Sequence, residues 1–298
     1  MLATAFLVAN YFLAIELRRR GYDPRIGGQI TLIALIGGVA GSKLFSLLEN
    51  WGDFIRDPIG QAFSPSGLIF YGGFIVVLIW LYIYFKRKSL RFGIFADMLA
   101  PLMLLGYGIG RLGCQVSGDG DYGTPSHLPW AMTYANGTAK PHDALFEFFQ
   151  RNPIQRAAWH YDSLSAITVG HDAFGRISRF DQIVTLQPTP IYEFLFCVIA
   201  FWLIWRNRQK FDAQVGKLFS LILVIMGGER LAVEFIRLDP LYAGLSMAQW
   251  ISIVMIPVGA FMLLFYYPRQ KAMLEREASL ANAVSPVPAS KQNISTPA

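Results

Sequence analysis

Charge is scarce in this chain. Only 15% of its 298 residues are Asp, Glu, Lys or Arg, against roughly a quarter in average soluble domains. Such a chain is short of the polar surface that holds a protein in water. Cysteine is nearly absent too, and two in 298 residues exclude a small disulfide-stapled secreted domain. Histidine is confined to one polar stretch, where His127, His142, His160 and His171 are spaced in no compact zinc pattern and read as surface residues. No internal repeat is visible. What the chain has instead is apolar bulk: 54% of it is hydrophobic, with 23 Phe, 13 Tyr and 7 Trp, and its mean hydropathy is +0.39. That aromatic content excludes intrinsic disorder.

A bilayer span needs about 20 mostly apolar residues. Seven stretches qualify, near 1–17, 28–48, 66–85, 92–110, 190–206, 217–236 and 248–267. The first has no basic leader and no small-residue cleavage site, so it reads as a retained span rather than a signal peptide. The expected fold class is an all-α polytopic membrane protein of seven transmembrane helices with a small extracytoplasmic head domain. Residues 1–110 would hold helices 1–4 and 111–189 the head. Residues 190–267 would hold helices 5–7, and 268–298 a cytoplasmic tail that reads as disordered from about Ala278.

Basic residues set the orientation. Sixteen of the 26 fall in the loops around Arg18–Arg25, Lys86–Arg91 and Arg206–Lys217 or in the tail; eight lie in the opposite, longer loops. The N-terminus is therefore expected outside and the C-terminus in the cytoplasm. The formal net charge of +6 reads as a topology signal, and no nucleic acid partner is expected.

Ionisable residues within spans are costly and mark function by default. At 100° per residue Arg230, Glu234 and Arg237 form one stripe on the sixth span, with the carboxylate between two guanidiniums. Such a stripe can be a salt-bridge ladder between helices. Two Arg against one Glu leave a spare positive charge, which favours an anion nearby. Gly108-x-Gly110-x-x-Gly113 matches the dinucleotide fingerprint as a string, but no strand precedes it. Arg111 is expected to emerge where the fourth span ends, at headgroup depth, and arginine suits bidentate recognition of phosphate. Tyr71 beside Gly72-Gly73 opens the third span, and Tyr192-Glu193 lies at the start of the fifth. Tyrosine at that depth also serves as an interfacial anchor. Cys197 reads as a small core residue.

With those residues assembled, the chain resembles the bacterial prolipoprotein diacylglyceryl transferases from its first span to about residue 267. Gly110-Arg111-Leu112-Gly113-Cys114-Gln115-Val116-Ser117-Gly118-Asp119-Gly120-Asp121-Tyr122-Gly123 is similar to the family signature G-R-x-G-N-x-x-N-G-E-x-x-G. Gly41-Ser42-Lys43-Leu44 and Phe70-Tyr71-Gly72-Gly73 match in spans two and three. Gln187-Pro188-Thr189-Pro190-Ile191-Tyr192-Glu193 looks like H-P-[ST]-Q-x-Y-E, and Arg230 to Arg237 looks like R-F-x-x-E-F-x-R.

The resemblance implies transfer of the diacylglyceryl group of phosphatidylglycerol to the lipobox cysteine thiol of a prolipoprotein, with a thioether formed and glycerol phosphate released. The implied partners are phosphatidylglycerol, the lipobox signal peptide and the bilayer, in a bacterial cytoplasmic membrane; no metal or organic cofactor is implied. Catalytic roles would fall on Arg111, Arg230 and Tyr71. Headgroup contacts would come from Arg111, Arg230, Glu234, Arg237 (further out), Cys114, Ser117, Gly118, Asp119, Gly123, Tyr192 and Glu193. Three departures stand out. Tyr71 replaces the family's histidine, Cys114 and Ser117 replace its asparagines, and Asp119-Gly120-Asp121 replaces its glutamate. Asp119 is the nearer substitute carboxylate and Asp121 the alternative. Two other readings compete: a catalytically altered paralogue that binds anionic lipid or lipopeptide without transfer, and a small-anion transporter. The clustering of charge toward one leaflet counts against the transporter.

Overall fold

The computed structural model describes residues 1–64, 70–134, 136–139, 141–158, 170–171, 177–178, 184–239 and 241–269. The start of the third span at 66–69, His160 and the tail from Ala278 lie outside the described residues. Helices dominate: α1 Leu2–Arg19, α2 Arg25–Glu49, α3 Trp51–Arg56, α4 Pro58–Phe63, α5 Phe70–Arg87, α6 Phe92–Ser117, α7 His142–Arg151, α8 Pro153–Ala158, α9 Thr189–Asn207, α10 Lys217–Glu234 and α11 Met247–Phe261. Among the described residues the strands are four two-residue pieces. They form two antiparallel hairpins, β1 Gly170–His171 with β2 Ile177–Ser178 and β3 Leu241–Tyr242 with β4 Leu245–Ser246.

Four helical segments, Arg25–Glu49, Phe92–Ser117, Thr189–Phe211 and Met247–Arg269, are long and apolar enough to cross a membrane. Their outer faces carry exposed Leu32, Val39, Ile199, Trp202, Val254 and Phe261. That much exposed apolar surface is what a bilayer, not water, solvates. The architecture is that of a mostly helical, multi-pass membrane protein.

Helix α6 is the axis of the bundle, packed on α1, α9 and α10, while α2 pairs with α5 and α10 with α11. Small residues set these approaches, as expected where lipid supplies no hydrophobic drive between helices. A Cβ at Gly41 would lie 2.7 Å from the Gly72 carbonyl oxygen, and one at Gly108 the same distance from Cys197 Cβ. Cys197 is fully buried there. The main core gathers Leu13, Leu17, Phe85, Phe95, Met98 and Leu104 among others. A second, separate core of Tyr122, Tyr134, Leu145, Phe149, Val184 and Leu186 sits within the long polar stretch.

Two boundaries differ from the sequence reading. The fourth span was expected to end at 110, whereas α6 runs to Ser117 and stops only at Gly118, a left-handed cap with φ +58°. The helix runs through Gly108, Gly110 and Gly113 without a break. Arg111 therefore lies inside the helix, almost two turns before its end. The loop 49–65 contains α3 and α4, the latter started by Asp57, whose carboxylate accepts from Gly60 N at 2.9 Å, with Pro58 in the first turn.

One buried acid is structural. Asp97, on α6, accepts hydrogen bonds from Gly216 N at 2.6 Å and Phe219 N at 2.8 Å, capping α10 from a neighbouring helix. Replacing a cap of this kind costs about 1–2 kcal/mol. Asp97→Ala should therefore lower the thermal midpoint of the detergent-solubilised protein, and Asp97→Asn should lower it less.

Candidate active site

Four chain segments meet at the C-terminal end of α6. Helix α6 brings Tyr107, Arg111 and Cys114; the segment after it brings Asp119, Asp121 and Gly123. The first turn of α9 brings Tyr192 and Glu193. The last turns of α10 bring Glu229, Arg230 and Glu234, followed by Arg237 and Asp239.

Glu193 is the hub, with no exposed surface at all. Its Oε2 lies 2.6 Å from Arg111 Nε and 3.7 Å from Arg230 Nη1, and its Oε1 accepts from Arg237 Nη1 at 3.3 Å. The Tyr107 hydroxyl donates a short hydrogen bond to Glu193 and accepts one from Arg111 Nη2 at 3.0 Å. Tyr107 stands four residues before Arg111, on the same helix face, and its ring lies beneath the guanidinium, 4.8 Å from centroid to Cζ.

A second carboxylate ties two of the arginines together. Asp121 accepts from Arg111 Nη1 at 2.5 Å and, on its other oxygen, from Arg237 Nη2. Burial alone would push the Asp121 carboxyl up, but the Arg237 and Arg111 charges outweigh it and hold the group below the ordinary carboxylate range. Asp121 thus stays ionised at neutral pH. Asp119, the nearer candidate in sequence, is exposed and pairs with neither arginine among the described residues. The extra residue in Asp119-Gly120-Asp121 is taken up at Gly120, φ +103°, which carries the chain round so that the second aspartate faces inward.

The stripe on the sixth span is only partly helical. Arg230 Nη2 lies 3.3 Å from Glu234 Oε2, as a helical i,i+4 pair does. Helix α10 then ends at Glu234, so Arg237 reaches Glu234 at 3.8 Å from a turn, where it also pairs with Asp239 at 3.0 Å. Gly123 explains the position of Arg237. The two residues form an antiparallel bridge, and a Cβ at Gly123 would lie 2.7 Å from the Ile236 carbonyl oxygen. Arg237, expected further out, is the most buried of the three arginines, its side chain 3% exposed against 22% for Arg230.

The spare positive charge expected from the sequence is not there. Asp121, Glu193 and Asp239 join Glu234, so each of the three guanidiniums already faces carboxylate. Arg230 is the least committed. Its contacts run from 3.3 to 3.7 Å, and its buried Nη1 has no hydrogen-bond partner. Nearby Glu229 is buried with Oε1 unpartnered. Sequence reasoning passed over Glu229, Tyr107 and Asp239. The signal for Glu229 was present, an acid inside an apolar helix.

The remaining residues divide. Cys114 Sγ lies 3.8 Å from Arg111 Nη1, at the edge of the cluster. Ser117 turns its hydroxyl back onto the Gly113 and Cys114 carbonyls, at 3.0 and 3.2 Å, and Gly118 serves as the helix cap. Tyr192 accepts from Trp130 Nε1 at 2.6 Å, reaching the polar stretch rather than the arginines. Tyr71 lies on the first turn of α5, and its side chain is outside the described residues. Cys114, Asp119 and Asp121 place ligand atoms within 4.8 Å of one another, a spacing a metal ion can use. Arg111 already sits against two of the three, the Asp121 carboxylate and the Cys114 sulfur.

The cluster is therefore a buried array of guanidiniums at the end of a membrane helix bundle, with Arg230 open to further acceptors. Oxygen-rich anions are the ligands that an unpartnered guanidinium nitrogen such as Arg230 Nη1 takes. The chain is similar over most of its length to several known proteins. A protein of Leptospira interrogans named phosphatidylglycerol–prolipoprotein diacylglyceryl transferase is 26% identical over 89% of this chain and 86% of its own. One of the same name from Clostridium tetani is 28% identical over 88% and 89%. Another from Ralstonia pickettii is 31% identical over 90% and 88%. The family model for prolipoprotein diacylglyceryl transferase matches residues 1–265, and with nearly the whole helical bundle inside that match, the chain belongs to this family.

Proposed function

We propose that the chain transfers the diacylglyceryl group of phosphatidylglycerol to the lipobox cysteine thiol of prolipoproteins. The observation that carries this reading is the cluster of Arg111, Arg230 and Arg237 around Glu193 at one end of the bundle. The thiol sulfur attacks the glyceryl carbon that bears the phosphate. A C–S bond forms, the C–O bond to phosphate breaks with its electron pair leaving on glycerol phosphate, and the thiol proton is taken up by that departing phosphate. Developing charge on the phosphate oxygens is stabilised by Arg230 and Arg111, in a setting where water is sparse and fixed charge counts for more. Arg237 and Glu193 hold Arg111 in position; Glu234 and Asp239 orient Arg230. A substrate thiol has a free pKa of about 8.5, and nearby guanidiniums favour its thiolate. Tyr71 stands where the family has histidine, and its hydroxyl is assigned to the headgroup.

Seven transmembrane helices complete the proposal. Three further helices of 18 residues, α1, α5 and α10, cross beside the four longer ones. The segment 111–189, whose first residues complete α6 to Ser117, forms an extracytoplasmic head, a reading supported by its separate core. Residues 268–298 form the cytoplasmic tail, the N-terminus lies outside, and the membrane is the bacterial cytoplasmic one. The lipobox signal peptide enters from the bilayer and stops at the arginine cluster.

Complementation of a bacterial strain depleted of its own transferase tests this. Wild type should restore growth, Tyr71→His should retain that ability, and Tyr71→Phe should lose it. A folded, membrane-inserted wild type that fails to restore growth would favour a lipid-binding paralogue instead.

A further inference from the structure

A polar cavity lies far from the arginine cluster. It has a volume of about 420 Å³ and is formed by the turn between α1 and α2 and the turn between α5 and α6. Its polar lining comes from Asp23, Arg25, Gln29, Tyr84 and Lys88, and its apolar lining from Ile26 and Leu90. Leu90 lies 21 residues before Arg111 along a chain that is α-helical from Phe92 onward. At 1.5 Å per residue the two levels are about 30 Å apart, the thickness of a bilayer's hydrocarbon core. Cavity and arginine cluster therefore sit at opposite faces of the membrane.

The charges in this cavity are not spent on each other. Arg25 and Lys88 are exposed, and neither side chain pairs with a carboxylate among the described residues. The one carboxylate in the lining, Asp23, is turned to the backbone, where its Oδ1 accepts from Arg25 N at 2.9 Å. The Tyr84 hydroxyl donates a short hydrogen bond to Gln29 Oε1, joining α5 to α2 across the wall, and this leaves the Gln29 amide nitrogen as a further donor. The contrast with another charged cluster at this face is instructive. There Arg19, Arg20 and Arg208 close fully on Glu16 and Asp212, with distances of 2.5 to 2.9 Å, and form a structural knot.

We propose that this cavity is a second anion site that binds the phosphodiester headgroup of an acidic phospholipid from the leaflet opposite the arginine cluster. Arg25 and Lys88 hold the phosphate oxygens from two different helix pairs, and Gln29 donates beside them. Ile26 and Leu90 receive the glycerol end. Apolar and basic linings at headgroup depth suit a lipid better than free phosphate, which has nothing to place on Ile26 and Leu90. Basic pockets between membrane helices on the cytoplasmic side hold acidic headgroups for these reasons. Such a lipid clamps the α1–α2 and α5–α6 turns together without taking part in transfer.

The test counts lipids on the full-length protein. Native mass spectrometry would follow phosphatidylglycerol titrated onto wild type, Arg25→Ala/Lys88→Ala, Lys88→Arg and Arg111→Ala, with phosphatidylcholine and inorganic phosphate as separate arms. Two lost charge contacts weaken binding roughly thirtyfold. The double variant should lose one tightly held phosphatidylglycerol and keep the transfer rate of wild type, and Lys88→Arg should keep both. Arg111→Ala should lose the other lipid and the transfer rate. Failure of the proposed transfer would appear as absent thioether product and would leave this count untouched. Equal phosphatidylglycerol occupancy in wild type and the double variant would overturn the inference. So would retention of phosphatidylcholine as tightly as phosphatidylglycerol, or inorganic phosphate competing as strongly as the lipid.

Discussion

Arg111→Ala should lower thioether transfer by a factor of about 10²–10³, the loss seen when one preorganised donor to a developing oxyanion is removed. The side chain is anchored at three points, by Glu193 at 2.6 Å, Asp121 at 2.5 Å and the Tyr107 hydroxyl at 3.0 Å. An ammonium cannot reproduce that fork, so Arg111→Lys should stay within about tenfold of the alanine variant. The measurement is the rate of lipobox-peptide modification in phosphatidylglycerol micelles at saturating peptide. The folded state is checked in parallel by thermal midpoint, because removing a guanidinium also leaves Asp121 and Glu193 with one partner fewer. Recovery of more than half the wild-type rate by lysine would show that charge alone suffices and that the three-point geometry is incidental.

Glu193→Ala should have the largest effect on stability. Its carboxylate has no exposed surface and faces Arg111, Arg230 and Arg237. Removing one partner of a buried ion pair costs about 3–5 kcal/mol, because the remaining charge is left without compensation. Here Arg111, Arg230 and Arg237 each lose a carboxylate at once and keep only their contacts with Asp121, Glu234 and Asp239. Glu193→Gln keeps an acceptor for the Tyr107 hydroxyl and fills the same volume, so it should be destabilised less while transfer still falls. Thermal midpoints in detergent separate the two. Equal midpoints for Glu193→Ala and wild type would show that the carboxylates already paired with the arginines, Asp121, Glu234 and Asp239, suffice without it.

The parts of the site visible in the sequence were those where charge interrupts an apolar helix. Arg111, Arg230 and Glu234 stand out for that reason, and the family motifs placed Glu193 and Gly123 beside them. Pairing across segments was not visible. Arg237 looked like the next step of a helical stripe, yet α10 ends at Glu234 and the Gly123 bridge draws Arg237 inward. The choice between Asp119 and Asp121 depended on how one extra residue is accommodated, which spacing alone does not decide. The spare positive charge vanished because Asp121 and Asp239 come from turns, where a carboxylate is unremarkable in sequence. Helix ends were legible to within a few residues except at α6, where the span read as ending at 110 continues as helix to Ser117.

The most direct test of the central claim is a transfer assay with purified full-length protein, phosphatidylglycerol micelles and a lipobox peptide, in which thioether-linked diacylglyceryl peptide and released glycerol phosphate are both quantified. Wild type should form the two products in equal amounts, and folded Arg111→Ala and Arg230→Ala should form neither above background. A folded wild type that binds phosphatidylglycerol and yields no thioether, or an Arg111→Ala variant that turns over at the wild-type rate, would contradict the account.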